Sequence, residues 1–185
     1  MKKITLLLCL LLYALGVYYL TRPAPVVPDL SDAVQSDEPG DTWQHPDQKA
    51  FYTNRKVRPE ILGELQQKFS INDSFTRFFQ YRLNYRPEEV GELVRDQLRS
   101  YYLEEVVHPL RESLFINVLD PEKSPMIDDK DRENQKMYFK GVFYPIKVTM
   151  RPVYSETYSR ILVWTLIFPA GYLIYLSLKK AFHEV

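Results

Sequence analysis

The stretch HPLRESLFINVL (residues 108–119) carries Leu110, Leu114, Phe115 and Val118 at intervals that share one side of a helix. Pro109 stands where a first helical residue lacks an N–H partner in any case, so the spacing predicts a helix that restarts at the His108-Pro109 junction. Immediately upstream, Val90, Leu93, Val94, Leu98 and Tyr101 follow Pro87 with the same periodicity. Two successive amphipathic segments joined by a short proline-containing link predict a helical hairpin.

The upstream member of that hairpin opens with a phrase the chain has already used. RPEILGEL begins at Arg58 and RPEEVGEL at Arg86, with six of eight positions identical across an offset of 28 residues. In both, proline at a helix start is followed by glutamates, which suit the unpaired N–H groups and positive end of a helix. After Pro59, Ile61, Leu62, Leu65 and Phe69 form one stripe, and residues 73–83 align Phe75, Phe78, Phe79 and Leu83. A second helical hairpin is therefore expected ahead of the first. Gly63 and Gly91 recur at the same offset, and a helix-interior glycine costs about 1 kcal/mol against alanine, which suggests a closely approaching backbone. Duplication of a helix-turn-helix unit and coincident helix-start chemistry both account for the repeated phrase, because two copies are too few to identify a solenoid.

The period changes in KMYFKGVFYPIKVTMRPVY (residues 136–154), where Ile146, Val148 and Met150 alternate with Lys147, Thr149 and Arg151. This predicts a strand with one face on a core, an earlier strand before it, a turn or bulge at Gly141, and strand ends or an edge at Pro145 and Pro152. A two-stranded ribbon is not stable alone in water. It is expected to pack on the helices and to offer an edge for interaction, with Ile146, Val148 and Met150 as candidate contact residues.

Both ends of the chain are apolar. ITLLLCLLLYALGVYYL (residues 4–20) is uncharged and follows Lys2 and Lys3, the layout of a secretory signal or of an uncleaved signal anchor. Ala14-Leu15-Gly16 fits the small-x-small cleavage rule, but the apolar run continues through Leu20, which favours an anchor. Its 17 residues make roughly 25 Å, a little short of a bilayer core of about 30 Å that snorkelling lysines can complete. ILVWTLIFPAGYLIYLSL (residues 161–178) is likewise uncharged and precedes Lys179 and Lys180. Pro169 is expected to kink this span, and the small residues through Gly171 to let a neighbouring helix approach, so both join the candidate interaction residues. The lysines place both termini on the cytoplasmic side. In a bacterium this puts the chain in the inner (cytoplasmic) membrane with its central region periplasmic.

Between the spans, residues 21–50 hold five prolines and six acidic residues up to Gln48 and are expected to form an extended linker without a core. The expected organisation is then an N-terminal anchor (1–20), the linker (21–50), an extracytoplasmic domain (51–160), a second span (161–178) and a short cytoplasmic tail (179–185). The fold class is α+β: two terminal transmembrane helices flanking a mainly helical domain of two hairpins that ends in a β-ribbon. Only SETYSR separates Tyr154 from Ile161, so that end of the domain is tied closely to the second span.

Chemistry is signalled mostly by what is missing. Lys plus Arg and Asp plus Glu are both 24, so no net charge directs the chain to nucleic acid. Cys9 is the sole cysteine, which excludes an internal disulfide, a CxxC pair and a cysteine zinc cluster. No GxSxG, HExxH, GxxxxGK[ST] or GxGxxG occurs, and the three histidines, His45, His108 and His183, are far apart. Asp129, Asp131 and Glu133 imitate the start of an EF-hand, but Asn134 and Lys140 stand where glycine and a bidentate glutamate are needed. No catalytic, cofactor-binding or metal-ligating residue is therefore expected.

The layout is similar in topology to that of polysaccharide chain-length regulators, but the proline-rich pattern expected before their second span is absent, and no family is assigned. The expected function is that of a non-enzymatic, doubly anchored membrane protein, a structural or accessory subunit of a larger membrane or envelope assembly. Its partners would be the lipid bilayer and either a membrane protein or further copies of itself. A ligand or stress sensor acting through a membrane partner is the alternative, and a membrane-proximal enzyme the third.

Overall fold

The computed structural model describes residues 2–42, 45–55, 58–69, 78–86, 100–125 and 127–183. They fall into two compact units, one formed by the two ends of the chain (Met1–Ala24 with Tyr154–Val185) and one by its middle (Pro25–Val153).

The end unit consists of α1 (Lys2–Leu20) and α3 (Thr157–His183), two helices long and apolar enough to cross a membrane. Their contacts run in opposite directions along the two chains: Gly16 meets Trp164, while Tyr13 meets Thr165 and Phe168. The pair is therefore antiparallel. A methyl group on Gly16 would sit inside the indole of Trp164, so only glycine leaves room for that ring. The indole N–H donates to the Tyr13 carbonyl at 3.2 Å, and the Tyr13 and Thr165 hydroxyls lie 3.0 Å apart. The Pro169 to Gly171 segment was the expected site of close approach, yet α3 runs on through Pro169 and a Cβ on Gly171 would meet nothing within 4 Å.

The middle unit overturns the helical expectation. Its strands are β1 (Ala33–Gln35), β2 (Lys49–Thr53), β3 (Tyr81–Tyr85), β4 (Tyr102–Val107), β5 (Glu112–Leu119), β6 (Met137–Phe139), β7 (Val142–Tyr144) and β8 (Ile146–Tyr154). Six make one sheet in the order β1-β2-β8-β5-β4-β3, and β6 pairs with β7 separately. Residues 108–119 thus form a turn and a strand rather than a helix. In β5, Leu114, Ile116 and Val118 are buried on one face, while Phe115, Asn117 and Leu119 alternate with them. The antiparallel register sets Leu114 opposite Val106 and Val118 opposite Tyr102. Each buried aliphatic of this kind stabilises by about 1.5–3 kcal/mol, and the strand state also pairs the segment's backbone with β4 along its length. The opening helix expected for the same hairpin falls on residues 87–99, which lie outside the described residues; of the other expected hairpin's second helix, residues 81–83 belong to β3 and residues 73–77 lie outside the described residues.

One of the expected helices is present. α2 (Arg58–Phe69) buries Ile61, Leu62, Leu65 and Phe69, the stripe its spacing predicts, against Phe51, Val106, Leu114, Ile116, Val118 and the inward side chains of β8. Gly63 does not admit another backbone, since nothing lies within 4 Å of its would-be Cβ.

The segment read as a coreless linker also takes part in the fold. The middle unit begins at Pro25 rather than at residue 51, Val27 and Leu30 are buried in its core, and β1 and β2 both draw on this segment. Its polar residues hold it to α2. Ser31 N–H donates to Glu64 at 2.7 Å, and Lys68 donates to the Asp29 carbonyl at 2.8 Å and to Ser31 Oγ at 2.9 Å. Composition alone registers such a segment as solvated because it does not show where the polar groups find partners.

Strand formation across residues 136–154 follows the sequence pattern. Lys140 and Gly141 both take positive φ, 50° and 81°, and form the two-residue turn of the β6–β7 hairpin, the backbone state that a right-twisted hairpin needs. The hairpin does not stand alone: Phe139 stacks on Tyr52 of β2 at 4.8 Å and an interplanar angle of 9°, on the sheet face opposite α2. The edge expected at β8 does not exist, because β8 lies between β2 and β5.

Candidate functional site

The sheet concentrates its buried charges at two places on β4 and β5. The first is the β4–β5 turn. His108 N–H donates to the Glu112 carbonyl at 2.9 Å and Arg111 N–H to the His108 carbonyl at 3.1 Å, closing a tight reversal in which Leu110 takes φ 61°. This turn folds His108, Arg111 and Glu112 inward. His108 Nδ1 lies 2.8 Å from Glu112 Oε1, and its Nε2 lies 3.1 Å from Gln80 Nε2. The imidazole lies flat on Phe69 of α2, with centroids 4.9 Å apart and planes 4° apart. Arg111 grips the same carboxylate with both Nε (3.2 Å) and a terminal nitrogen (3.0 Å).

A histidine oriented by a carboxylate is the arrangement of a general base. Here the side chains of both His108 and Glu112 are 0% exposed, so no substrate atom reaches the imidazole, and the group works as a polar clamp between the turn and α2. Sequence reasoning treated His108 as a helix-junction residue. The legible signal was a histidine, an arginine and a glutamate within five positions leading into an apolar strand.

The second place is Glu104, in the middle of β4 on the α2 face. Its side chain is 2% exposed and is held by Arg58 at the start of α2, through Nε at 3.1 Å and a shorter contact from a terminal nitrogen, and by Arg82 of β3 at 3.3 Å. Arg58 also donates to Asn84 Oδ1 at 3.0 Å, and its guanidinium lies 4.6 Å over the Tyr102 ring. Burial raises the Tyr102 phenol well above its ordinary pKa, with Arg58 opposing and Glu104 adding to the shift. Burial likewise raises Asp120, just beyond β5. A charge at Glu104 is tolerated because two arginines converge on it. This network ties the first turn of α2 to the far edge of the sheet. As Glu104 and Glu105 lie on opposite faces of β4, they do not form an acid–base pair: Glu105 accepts a 2.5 Å hydrogen bond from Tyr85 instead.

A third cluster locks the N-terminal segment. Glu64 is drawn upward by partial burial, but hydrogen bonds from Lys68, Arg55 and Ser31 outweigh this and hold it at about 2.

The candidate interaction residues are not brought together. Ile146 and Val148 of β8 and their neighbour Met150 belong to the core beneath α2, whereas Pro169 and Gly171 belong to α3. The EF-hand-like run forms two short 3-10 turns in which Asp129 pairs with Arg132 (2.8 Å), Glu133 with Lys136 (2.7 Å) and Asp128 with Lys130 (3.7 Å). Among the described residues, no group of three or more His, Cys, Asp or Glu is placed to hold a metal ion.

The exposed apolar surface of the middle unit lies elsewhere. β3 is the terminal strand of the sheet, with Tyr81 and Leu83 exposed and Phe78 and Phe79 exposed just before it. Tyr138, Val142 and Phe143 are exposed on the β6–β7 hairpin. No protein-family model, curated protein or solved structure matches the chain.

Proposed function

We propose that this is a non-enzymatic membrane protein anchored by α1 and α3, whose middle unit serves as a structural or accessory subunit of a larger membrane or envelope assembly. The observation that carries the reading is the inverted surface of the helix pair. Leu6, Leu7, Leu10 and Leu11 of α1, and Leu162, Leu166, Leu173 and Ile174 of α3, all face outward, while Tyr13, Trp164 and Thr165 meet inside. Such a surface suits hydrocarbon and not water. Antiparallel pairing also returns the chain to the side from which it started, in keeping with cytoplasmic termini and an extracytoplasmic middle unit.

The non-enzymatic part of the reading draws on the closed histidine–carboxylate pair and on the mutual neutralisation of the acidic clusters. The assembly part draws on β3, the terminal strand of the sheet among the described residues, where a partner strand can add along the edge, in place of the core-facing residues of β8. The test is purification of a C-terminally tagged chain from its native membrane in mild detergent, with intact mass and co-purifying chains read by mass spectrometry. A stoichiometric membrane partner is the expected result. An isolated chain that still binds no other protein after chemical crosslinking in the membrane would overturn it.

A further inference from the structure

We propose that one end of the α1–α3 pair is a four-lysine surface that binds anionic phospholipid headgroups; the proposal rests on the two-span reading above. The antiparallel register from Tyr13, Gly16, Trp164, Thr165 and Phe168 fixes which residues of the two helices are level. Both helices rise about 1.5 Å per residue. Carrying the register away from Trp164 along both therefore sets Lys2 and Lys3 level with the turn of α3 that holds Lys179 and Lys180. Both helices extend that far, since α1 starts at Lys2 and α3 continues to His183. Two lysine pairs 176 positions apart in the chain (Lys3 to Lys179) become one cationic end.

That end differs from the other. Neither helix contains a carboxylate, and Lys3, Lys179 and Lys180 are exposed. At the opposite end, Arg22 donates to the Tyr18 hydroxyl at 3.1 Å and lies over its ring, while Arg160 is buried and donates to Ser155 at 2.8 Å. Lys3, Lys179 and Lys180 are exposed near the ends of apolar helices, at the depth where headgroup phosphates lie. Each lysine near an anionic surface strengthens binding about fivefold.

The test uses full-length protein in neutral detergent, titrated with phosphatidylglycerol or phosphatidylcholine, with bound lipid counted by native mass spectrometry. Phosphatidylglycerol is expected to be retained in preference. The paired variants Lys2→Gln/Lys3→Gln and Lys179→Gln/Lys180→Gln should each weaken that preference about 25-fold. The variant with all four changes should abolish it, while arginine at all four positions should keep it. Circular dichroism verifies that each variant retains its helices, and detergent removes any effect of altered membrane orientation. Equal retention of the two lipids, dependence on one lysine pair alone, or full displacement by millimolar inorganic phosphate would each overturn the proposal. Release of the wild-type chain from native membranes by alkaline carbonate would instead sink the two-span reading.

Discussion

The two units place the same residue types in opposite positions. In the middle unit Leu114, Ile116, Val148 and Met150 are wholly buried, and the charges that accompany them are paired. In the end unit the leucines point outward, and the contact is made by a glycine, a tryptophan, a tyrosine and a threonine. The lesson is that burial within the protein measures stabilisation only where water is the solvent. For a helix pair in hydrocarbon, leucine gains little by moving from lipid to protein, and fit around a small residue decides association.

Replacing one leucine in each unit breaks or confirms that contrast most directly. Leu114→Ala should lower the stability of the middle unit by about 3 kcal/mol. Leu11→Ala, at a position 57% exposed, should change the end unit by less than about 0.5 kcal/mol in detergent or lipid. Hydrogen exchange followed by mass spectrometry reads the two units separately, and comparable losses at both positions would erase the distinction.

Gly16→Leu probes the contact itself. It should separate α1 from α3 at a cost of about 2 kcal/mol, because the side chain collides with Trp164. The readout is oxidative crosslinking of Tyr13→Cys with Thr165→Cys in a Cys9→Ser background, where loss of the crosslink is expected. Persistence of the crosslink would show that the pair does not depend on the glycine.

Acid sharpens the contrast from the other side, since the middle unit holds paired carboxylates such as the partly buried Glu64 and the buried Glu104. Glu64 is held at about 2 in the folded chain against an ordinary 4.5. Its contribution is therefore complete above pH 4.5 and is lost as pH falls from there towards 2. With one side of the group open to solvent, the loss is about 1–2 kcal/mol. Urea midpoints of wild type should fall between pH 6 and pH 3, and Glu64→Gln should remove about that much of the slope.

The smallest effects separate two glycines that both have open space around them. Gly63→Ala should stabilise α2 by about 1 kcal/mol, because the position is helix interior and nothing opposes a methyl group. Gly141→Ala should destabilise the β6–β7 turn by about 1 kcal/mol, because φ 81° is unfavourable for any side chain. Thermal unfolding distinguishes them by sign, and equal signs would show that local backbone state is not what sets them apart.

Several elements were legible in the sequence because one period fitted and its rivals did not. The uncharged runs at residues 4–20 and 161–178 admit only long apolar helices, the Ile61–Phe69 stripe suits only a helix, and the Ile146–Met150 alternation suits only a strand. Residues 108–119 failed because Leu110, Leu114, Phe115 and Val118 satisfy a helical template while Leu114, Ile116 and Val118 satisfy a strand template equally well. Leu110, which tipped the helical reading, is an exposed turn residue with positive φ. The polar clamp of His108, Arg111 and Glu112 was hidden for the same reason: on a helix these residues would be solvated, and only the turn folds them inward.

By itself the sequence determined the two apolar helices at the ends of the chain, the amphipathic face of α2 and the alternation of β8, since each depends on spacing within one segment. Tertiary structure alone decided that residues 102–119 pair as strands, that Pro25 to Gln48 join the sheet unit, that β8 is interior, and that Gly16 rather than Gly171 receives the neighbouring helix. The physical reason is that these outcomes depend on partners distant in the chain. A strand becomes favourable only when another strand takes up its N–H and C=O groups, a charged spacer orders only when α2 and the sheet's lysines take up its polar groups, and a glycine matters only where a ring arrives to fill its space.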